Sequence, residues 1–499
     1  MEKATDFIGR FNHVPLLIGN QWTGSGGNDT TPVYNPSKGQ VIAHTPSGIA
    51  EDVDRAVKAA KDAFPSWAAV PAPKRADTLF HYRELLAQHM EHIAWLITLE
   101  NGKTMEEARG DIRRGFEVVE FACGIAHLTK GENLGQLAAE IDGLTMREPL
   151  GVCVGISPFN FPAMVAMWMF PLAIACGNTF VLKPSEKVPL TALYLADLLV
   201  KAGLPAGVFN VVHGGREVVE ALCVHPDVAA ISFVGSSEIA LRVYQLGTSR
   251  GKRVQAGGGA KNVHIVMPDA DFDSAVRAVV GAAFGCSGQR CMAGSTLMIP
   301  NGTDAAFLQQ LKEAVDQLLV GDTTGQLDVQ MGPVIDGQAR DRISDTIQHA
   351  VSQGAKAMSD GRTHQDTDGF FLLPTLLDEV SPDMEVFHRE VFGPVLSIVH
   401  TSTLDESIRL ANKLPFGNGA TIYTSNGGAA RKFAREMKCG MIGVNVGVPA
   451  PMAIFPFSGW NQSFYGDLHL QGTEGILFYT RQKVLLSRWD TNYERINGW

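Results

Sequence analysis

Between Glu148 and Lys183 the chain carries no charged residue. A stretch of that kind crosses a membrane or lies deep in a protein core. A spanning helix needs about 20 unbroken apolar residues, because backbone polar groups find no partner in lipid. Here Pro158, Pro162 and Pro171 interrupt the run, and Ser157, Asn160, Asn178 and Thr179 are scattered through it. The segment therefore reads as buried strand (152–156), loop, helix (163–176) and strand (179–182). The alternation continues with helix 190–202, strand 208–212, helix 218–224 and strand 230–234. Strands separated by crossover helices specify a parallel sheet with helices on both faces.

The flanks fit the same class. Strand and turn signals occupy 16–20 and 33–36. Val53, Ala56, Val57, Ala60, Ala63 and Phe64 recur at helical spacing, and two more amphipathic stretches cover 73–100, ending in Asn101-Gly102, and 104–128. A second α/β region has candidate strands at 263–266, 296–299 and 395–399. The tail, 476–486, reads as a late strand. No repeat or low-complexity linker separates these regions, so close contact between them is expected.

The length of 499 residues suggests two to four domains. With 45% hydrophobic and 19% charged residues, disordered and coiled-coil classes are excluded. A net charge of -10 argues against phosphate-backbone binding. Seven cysteines cannot all pair, which favours a reducing compartment. Residues 1–11 carry Glu2, Lys3, Asp6 and Arg10 and lack the apolar core of a secretory signal. A cytoplasmic protein is expected. There is no G-x-G-x-x-G, Walker A or serine elbow, and no dense Cys/His spacing that would imply a metal.

Three segments carry chemistry. In Gly285-Cys286-Ser287-Gly288-Gln289-Arg290-Cys291-Met292-Ala293-Gly294, Cys291 lies in a glycine-rich turn beside a cation that can lower a thiol pKa. It reads as a nucleophile, or alternatively as a buried apolar residue. In Ser157-Pro158-Phe159-Asn160-Phe161-Pro162, a carboxamide between two prolines can donate to a developing oxyanion, or cap the following helix. Lys183-Pro184-Ser185-Glu186 follows a strand, where α/β sheets bind ligands. Its acidic group suits ribose hydroxyls and would repel a 2′-phosphate; the other reading is a solvated Lys-Glu turn.

These segments, in this order, resemble the aldehyde dehydrogenase superfamily. Phe233-Val234-Gly235-Ser236-Ser237-Glu238 is similar to its cofactor-phosphate turn, and Arg389-Glu390-Val391-Phe392-Gly393-Pro394 to its E-x-F-G-P motif. The resemblance runs from about Leu16 to Trp489. Gly288 to Ala293, Ser157 to Met164, His225-Pro226-Asp227, Gly251 to Ala256 and Phe478-Tyr479-Thr480 most resemble the CoA-acylating branch that oxidises methylmalonate semialdehyde. That resemblance implies a Rossmann-type NAD domain (1–126 and 148–256), an α/β catalytic domain (257–465), and a β arm (127–147 and 466–499) that makes a homodimer or homotetramer. It implies Cys291 as nucleophile and Asn160 as oxyanion donor. Arg114 and Arg290 would hold the substrate carboxylate. Ser157, Phe159, Lys183, Glu186, Lys187, Gly235, Ser236, Glu390 and Phe392 would contact the cofactor.

Hydrolytic relatives carry an E-L-G-G-K segment whose glutamate activates water. The corresponding stretch here is Gln255-Ala256-Gly257-Gly258-Gly259-Ala260-Lys261, and no carboxylate occurs between Glu238 and Asp269. The CoA-acylating branch shares that absence, although it usually has Asn-Met at the positions of Gly257-Gly258. The expected reaction is oxidation of methylmalonate or malonate semialdehyde, with decarboxylation, to propanoyl-CoA or acetyl-CoA. The alternatives are a hydrolytic NAD-dependent aldehyde dehydrogenase releasing a free acid, a cysteine acyltransferase or hydrolase without redox chemistry, and a non-catalytic relative.

Overall fold

In the computed structural model the described residues are 7, 9, 13–303, 305–325, 328–363 and 368–489. The N-terminal charges Glu2, Lys3, Asp6 and Arg10 lie outside them. The uncharged segment folds as the sequence suggests. Strands Val152–Ile156 and Thr179–Lys183 and helix Met164–Ala175 are buried at every position. None of the described helices is long and apolar enough to cross a membrane.

Eight strands form the first sheet. At its centre five parallel strands stand in the order Phe209–Val211, Thr179–Lys183, Val152–Ile156, Val228–Val234, Arg253–Gly257. In chain order this is 3-2-1-4-5, so the direction of winding reverses between Val152–Ile156 and Val228–Val234. The crevice beyond the carboxyl ends of two such strands is where open α/β sheets take ligands. The loops leaving it are Ser157 to Asn160 and Gly235-Ser236. Short antiparallel strands close both edges: Leu16–Ile18 with Gln21–Thr23 on one side and Phe464–Tyr465 on the other.

The second sheet has seven strands, six of them parallel, around Val263–Val266 and Thr296–Pro300. Helix Phe272–Phe284 and a short 3-10 turn, Gly285–Gly288, lead into Cys291 just before Thr296–Pro300. The cysteine loop therefore stands at the amino ends of the second sheet, facing the carboxyl ends of the first.

The tail is a correction. Residues 476–478 belong to helix Gly472–Phe478, and only Thr480–Arg488 is a strand. Ile476, Phe478 and Tyr479 are buried, and an apolar run of this length fits a buried helix as well as a strand. The strand pairs antiparallel with Ile141–Pro149, which pairs with Asn133–Ala138. This three-stranded ribbon exposes Leu134, Leu137, Val484, Leu485 and Leu486.

Candidate active site

Cys291 is partly exposed and lies where two cavities meet. One, of about 260 Å³, is lined by Arg114, Phe161, Met164, Trp168, Cys286, Arg290 and Phe457. The other, of about 340 Å³, is lined by Phe159, Asn160, Gly235, Ser236, Gly258, Gly259, Glu390 and Phe392. A third, of about 470 Å³, continues along the first sheet past Ser157, Lys183, Glu186 and Ser236.

The cysteine loop is held by backbone carbonyls. Asn262 Nδ2 donates to the carbonyls of Cys291 (2.8 Å) and Ala293 (2.9 Å), and Asn418 Nδ2 donates to Cys291 O (3.0 Å). Asn262 Oδ1 accepts from Gly419 N (3.0 Å), so the loop is anchored on two neighbouring strands. Cys286 and Ser287 both adopt left-handed backbone (φ 53). Such a conformation costs roughly 1–2 kcal/mol per non-glycine residue, here offset by fixed partners. Ser287 Oγ donates to Gly332 and Pro333 carbonyls, and Cys286 N donates to Glu107 Oε1. Gly288 (φ 66) is required by packing, since a Cβ there would stand 2.1 Å from Gly393 O.

Asn160 does not cap the following helix. Its Nδ2 donates to Gln289 O (3.0 Å), across the gap and two residues from Cys291. The helix start is instead served by Asp111, whose Oδ1 accepts from Met164 N (2.7 Å). Asp111 is paired with Lys103 (2.7 Å), and Lys103 Nζ also donates to Asn160 O (2.5 Å). The ammonium lies 3.8 Å from the Phe161 ring centroid. A buried ion pair thus holds the backbone from which the Asn160 carboxamide projects.

The thiol corrects one expectation. Burial, reinforced by the charge of Glu390, pushes Cys291 up to about 12, and Arg290 opposes this only weakly. The reason is geometric. Arg290 Nη2 donates to the carbonyls of Gly281 and Ala282 at the end of the preceding helix, turning the cation away from the sulfur. Arg290 Nε is buried and finds no acceptor among the described residues. Arg114 lines the same cavity and pairs with Glu117 (3.2 Å), whereas Arg113 is exposed. The cavity wall is not purely basic, since Glu107, Asp111 and Glu117 also line it.

On the other side, Glu390 Oε1 accepts from Ala260 N (3.0 Å). Burial raises its carboxyl to about 7 against the opposing charges of Lys261 and Arg342. Lys261 is buried, makes no hydrogen bond among the described residues, and is lowered by burial to about 8 against the charge of Glu390. Phe392 takes left-handed backbone (φ 54) and packs its ring edge-on to Phe159. Gly258 and Gly259 are pressed against neighbours: added Cβ atoms would stand 2.5 Å from Gln462 O and from Glu390 Oε2 respectively.

In the long cavity, Lys183 Nζ meets Glu186 Oε2 at 3.0 Å. Burial would raise Glu186, but Lys183 and backbone donors outweigh it and hold the carboxyl below its usual range. Helix Ser237–Thr248 opens onto this cavity at Ser236, and the Ser236 side chain makes no cap. The free amides of a first turn suit an anion. Lys187 stands at the rim: it pairs with Asp336 (2.6 Å), lies 5.6 Å from the Phe159 ring centroid, and lines a neighbouring cavity with Tyr34 and Phe370.

Residues 22–485 match the aldehyde dehydrogenase family model. The chain belongs to the aldehyde dehydrogenase family. It is 52% identical to malonate-semialdehyde dehydrogenase 1 of Geobacillus kaustophilus, over 95% of this chain and 97% of that one. It is 50% identical to malonate-semialdehyde dehydrogenase of Halalkalibacterium halodurans, over 95% and 98%. Among solved structures, methylmalonate-semialdehyde dehydrogenase of Oceanimonas doudoroffii matches with TM-score 0.94 and 42% identity, covering 96% of this chain and 99% of that one. A Sinorhizobium meliloti chain, described as a methylmalonate-semialdehyde dehydrogenase complexed with NAD, matches with the same TM-score and identity over 96% and 98%.

Within this family member, the residues that sequence reasoning missed are mostly those that hold others: Lys103, Asp111, Asn262 and Asn418. Asn262 stood one residue beyond the singled-out segment Gln255 to Lys261. Asn418 offered no local signal, because its role arises only when the strand that follows it, Gly419–Tyr423, pairs beside Val263–Val266.

Proposed function

We propose that the chain catalyses NAD-dependent, CoA-acylating oxidation of malonate and methylmalonate semialdehydes, releasing acetyl-CoA and propanoyl-CoA with loss of carbon dioxide. The observation that carries this reading is the position of Cys291 between an arginine-lined cavity and one lined by Asn160, Gly235, Ser236 and Glu390. The names of the relatives point to the same substrates.

The Cys291 thiolate attacks the aldehyde carbon. Asn160 Nδ2 and the Cys291 N–H stabilise the oxyanion, and donors so placed act most strongly where charge develops. The unpartnered Nε of Arg290, together with Arg114, receives the substrate carboxylate. Lys183 and Glu186 would hold the adenosine ribose, Ser236 the phosphates, and Glu390 the nicotinamide ribose. Bound there, NAD supplies the two-electron acceptor that converts the adduct into a thioester on Cys291. That thioester has a carboxylate β to its carbonyl, so decarboxylation leaves an enolate delocalised into the thioester. A thiol is a better nucleophile than water toward the remaining acyl group, and no carboxylate lies in 239–268 to activate water.

The exposed apolar ribbon at Thr480–Arg488 would be covered by a second subunit, giving a dimer or tetramer. Seven free cysteines fit a reducing cytoplasm. Steady-state turnover on both semialdehydes, with and without CoA, tests the reading. NADH formation equally fast without CoA would refute the acylating assignment, and activity retained in Cys291→Ala would refute the nucleophile.

A further inference from the structure

Once Cys291 is acylated, the attacking thiol must lose a proton, and the loop that would carry a base in hydrolytic relatives has only glycines. Four carboxylates line the two cavities that meet at Cys291. Three are committed. Glu107 accepts from Cys286 N and Thr104 N through its two oxygens. Asp111 is locked to Lys103 and Met164 N. Glu117 pairs with Arg114. Glu390 differs: Oε1 accepts from Ala260 N, while Oε2 accepts no hydrogen bond among the described residues and stands 2.5 Å from where a Cβ on Gly259 would lie. It shares a cavity with Cys291, and its charge is felt at the sulfur.

We propose that Glu390 is the general base of the acyl-transfer step. This rests on the reading of Cys291 as the acylated residue. After the reduced cofactor leaves, the Glu390 carboxylate takes the proton of the CoA thiol, and the CoA sulfur bonds to the acyl carbon. The bond from that carbon to Cys291 Sγ breaks, and the departing thiolate recovers the proton from Glu390. No electrons are exchanged. One residue serves both half-reactions in turn, first at the nicotinamide ribose and then at the thiol.

The groups facing Glu390 suit this role. Lys261 and Arg342 favour its charged form, burial opposes them, and Cys291 lies on the cavity side. The carboxyl therefore titrates at about 7, near the pH at which a base is most useful.

The test bypasses the redox step. Cys291 is acetylated with p-nitrophenyl acetate in the absence of NAD, loading is verified by intact mass, and transfer to CoA is followed from pH 5.5 to 9.5. In the unmodified enzyme the transfer rate should rise through about pH 7 and flatten. In Glu390→Gln it should fall about 100-fold or more and follow ionisation of the free CoA thiol, at about pH 8.5. Glu390→Asp should recover part of the rate. Equal rates and profiles in Glu390→Gln and the unmodified enzyme would overturn the proposal while leaving the Cys291 assignment intact. An unmodified enzyme that takes up no acetyl group at Cys291 would overturn both.

Discussion

Lys103 is the most informative residue to remove, because the ion pair that it forms with Asp111 is 1% and 0% exposed at the side chains. In Lys103→Met, Asp111 keeps Met164 N as donor but loses its counter-charge. Breaking a buried pair from one side costs about 3–5 kcal/mol. The loss should depend on pH. Burial raises the folded pKa of Asp111 above its unfolded value while Lys103 pulls it down. Without Lys103 it rises further. The folded state then binds more protons than the unfolded state across that window, so stability falls as pH rises through it. Urea midpoints at pH 5.5 and 8 should separate more in Lys103→Met than in the unmodified protein. In Lys103→Met/Asp111→Asn the buried charge is gone and the amide can still accept from Met164 N. That double variant should be more stable at pH 8 than the single one, with a pH dependence closer to that of the unmodified protein than to that of the single variant. Both variants release Asn160 O, so NADH formation should slow in both, separating the positioning role from stability. A loss below about 1 kcal/mol in Lys103→Met, or a double variant less stable than the single, would refute the reasoning.

Asn160→Ala should lower the single-turnover rate of NADH formation by about 100- to 1000-fold, the usual cost of one oxyanion donor. Arg290→Gln should raise KM for the semialdehydes about 10- to 150-fold, the worth of a charge-assisted hydrogen bond, and leave KM for propanal nearly unchanged. With the Cys291 thiol held up at about 12, its alkylation by iodoacetamide in the cofactor-free protein should climb steadily to pH 10 without a plateau; a plateau near pH 7 would contradict the geometry at Arg290. Gly257→Glu places a carboxylate where hydrolytic relatives have theirs, and a Cβ there meets nothing closer than 3.5 Å. It should create CoA-independent NADH turnover, measured directly against the CoA-dependent rate.

Much of the fold could be read from 148–234, because a chain without charge, cut by prolines and glycines, has few ways to bury itself. Strands 152–156 and 263–266 were readable to the residue, and helix 163–176 to within one residue at each end. The tail was less readable, since Ile476 to Tyr479 are apolar in either state and only their packing decides. Of the proposed site residues, Cys291, Asn160, Lys183, Glu186, Ser236 and Glu390 were legible as local motifs because each stands at or just past the end of a strand or just before or after a helix. The direction of Arg290 could not. Its neighbour in sequence is Cys291, yet its guanidinium is captured by the carbonyls of Gly281 and Ala282, which the chain brings alongside only by ending a helix there.

The glycine run shows why sequence position alone would mislead about charge. Gly258 and Gly259 look like slack in the loop, but neither has room for a side chain. The first is closed off by Gln462 O and Ser237 Oγ, the second by Glu390 itself. Ser237 Oγ donates to Gln462 O (2.6 Å) and accepts from Gly259 N (2.9 Å), so the loop is stitched to the first turn of the helix that opens the long cavity. The loop is therefore rigid where it looks flexible. Its lack of side chains lets Glu390 approach from the second sheet into the cavity that Cys291 shares. A side chain at 259 would displace that carboxylate, and one at 258 would part the loop from Ser237. The bare Gly259 and the position of Glu390 are thus one packing solution: an acid from one loop fills the space that a side chain on the other would take.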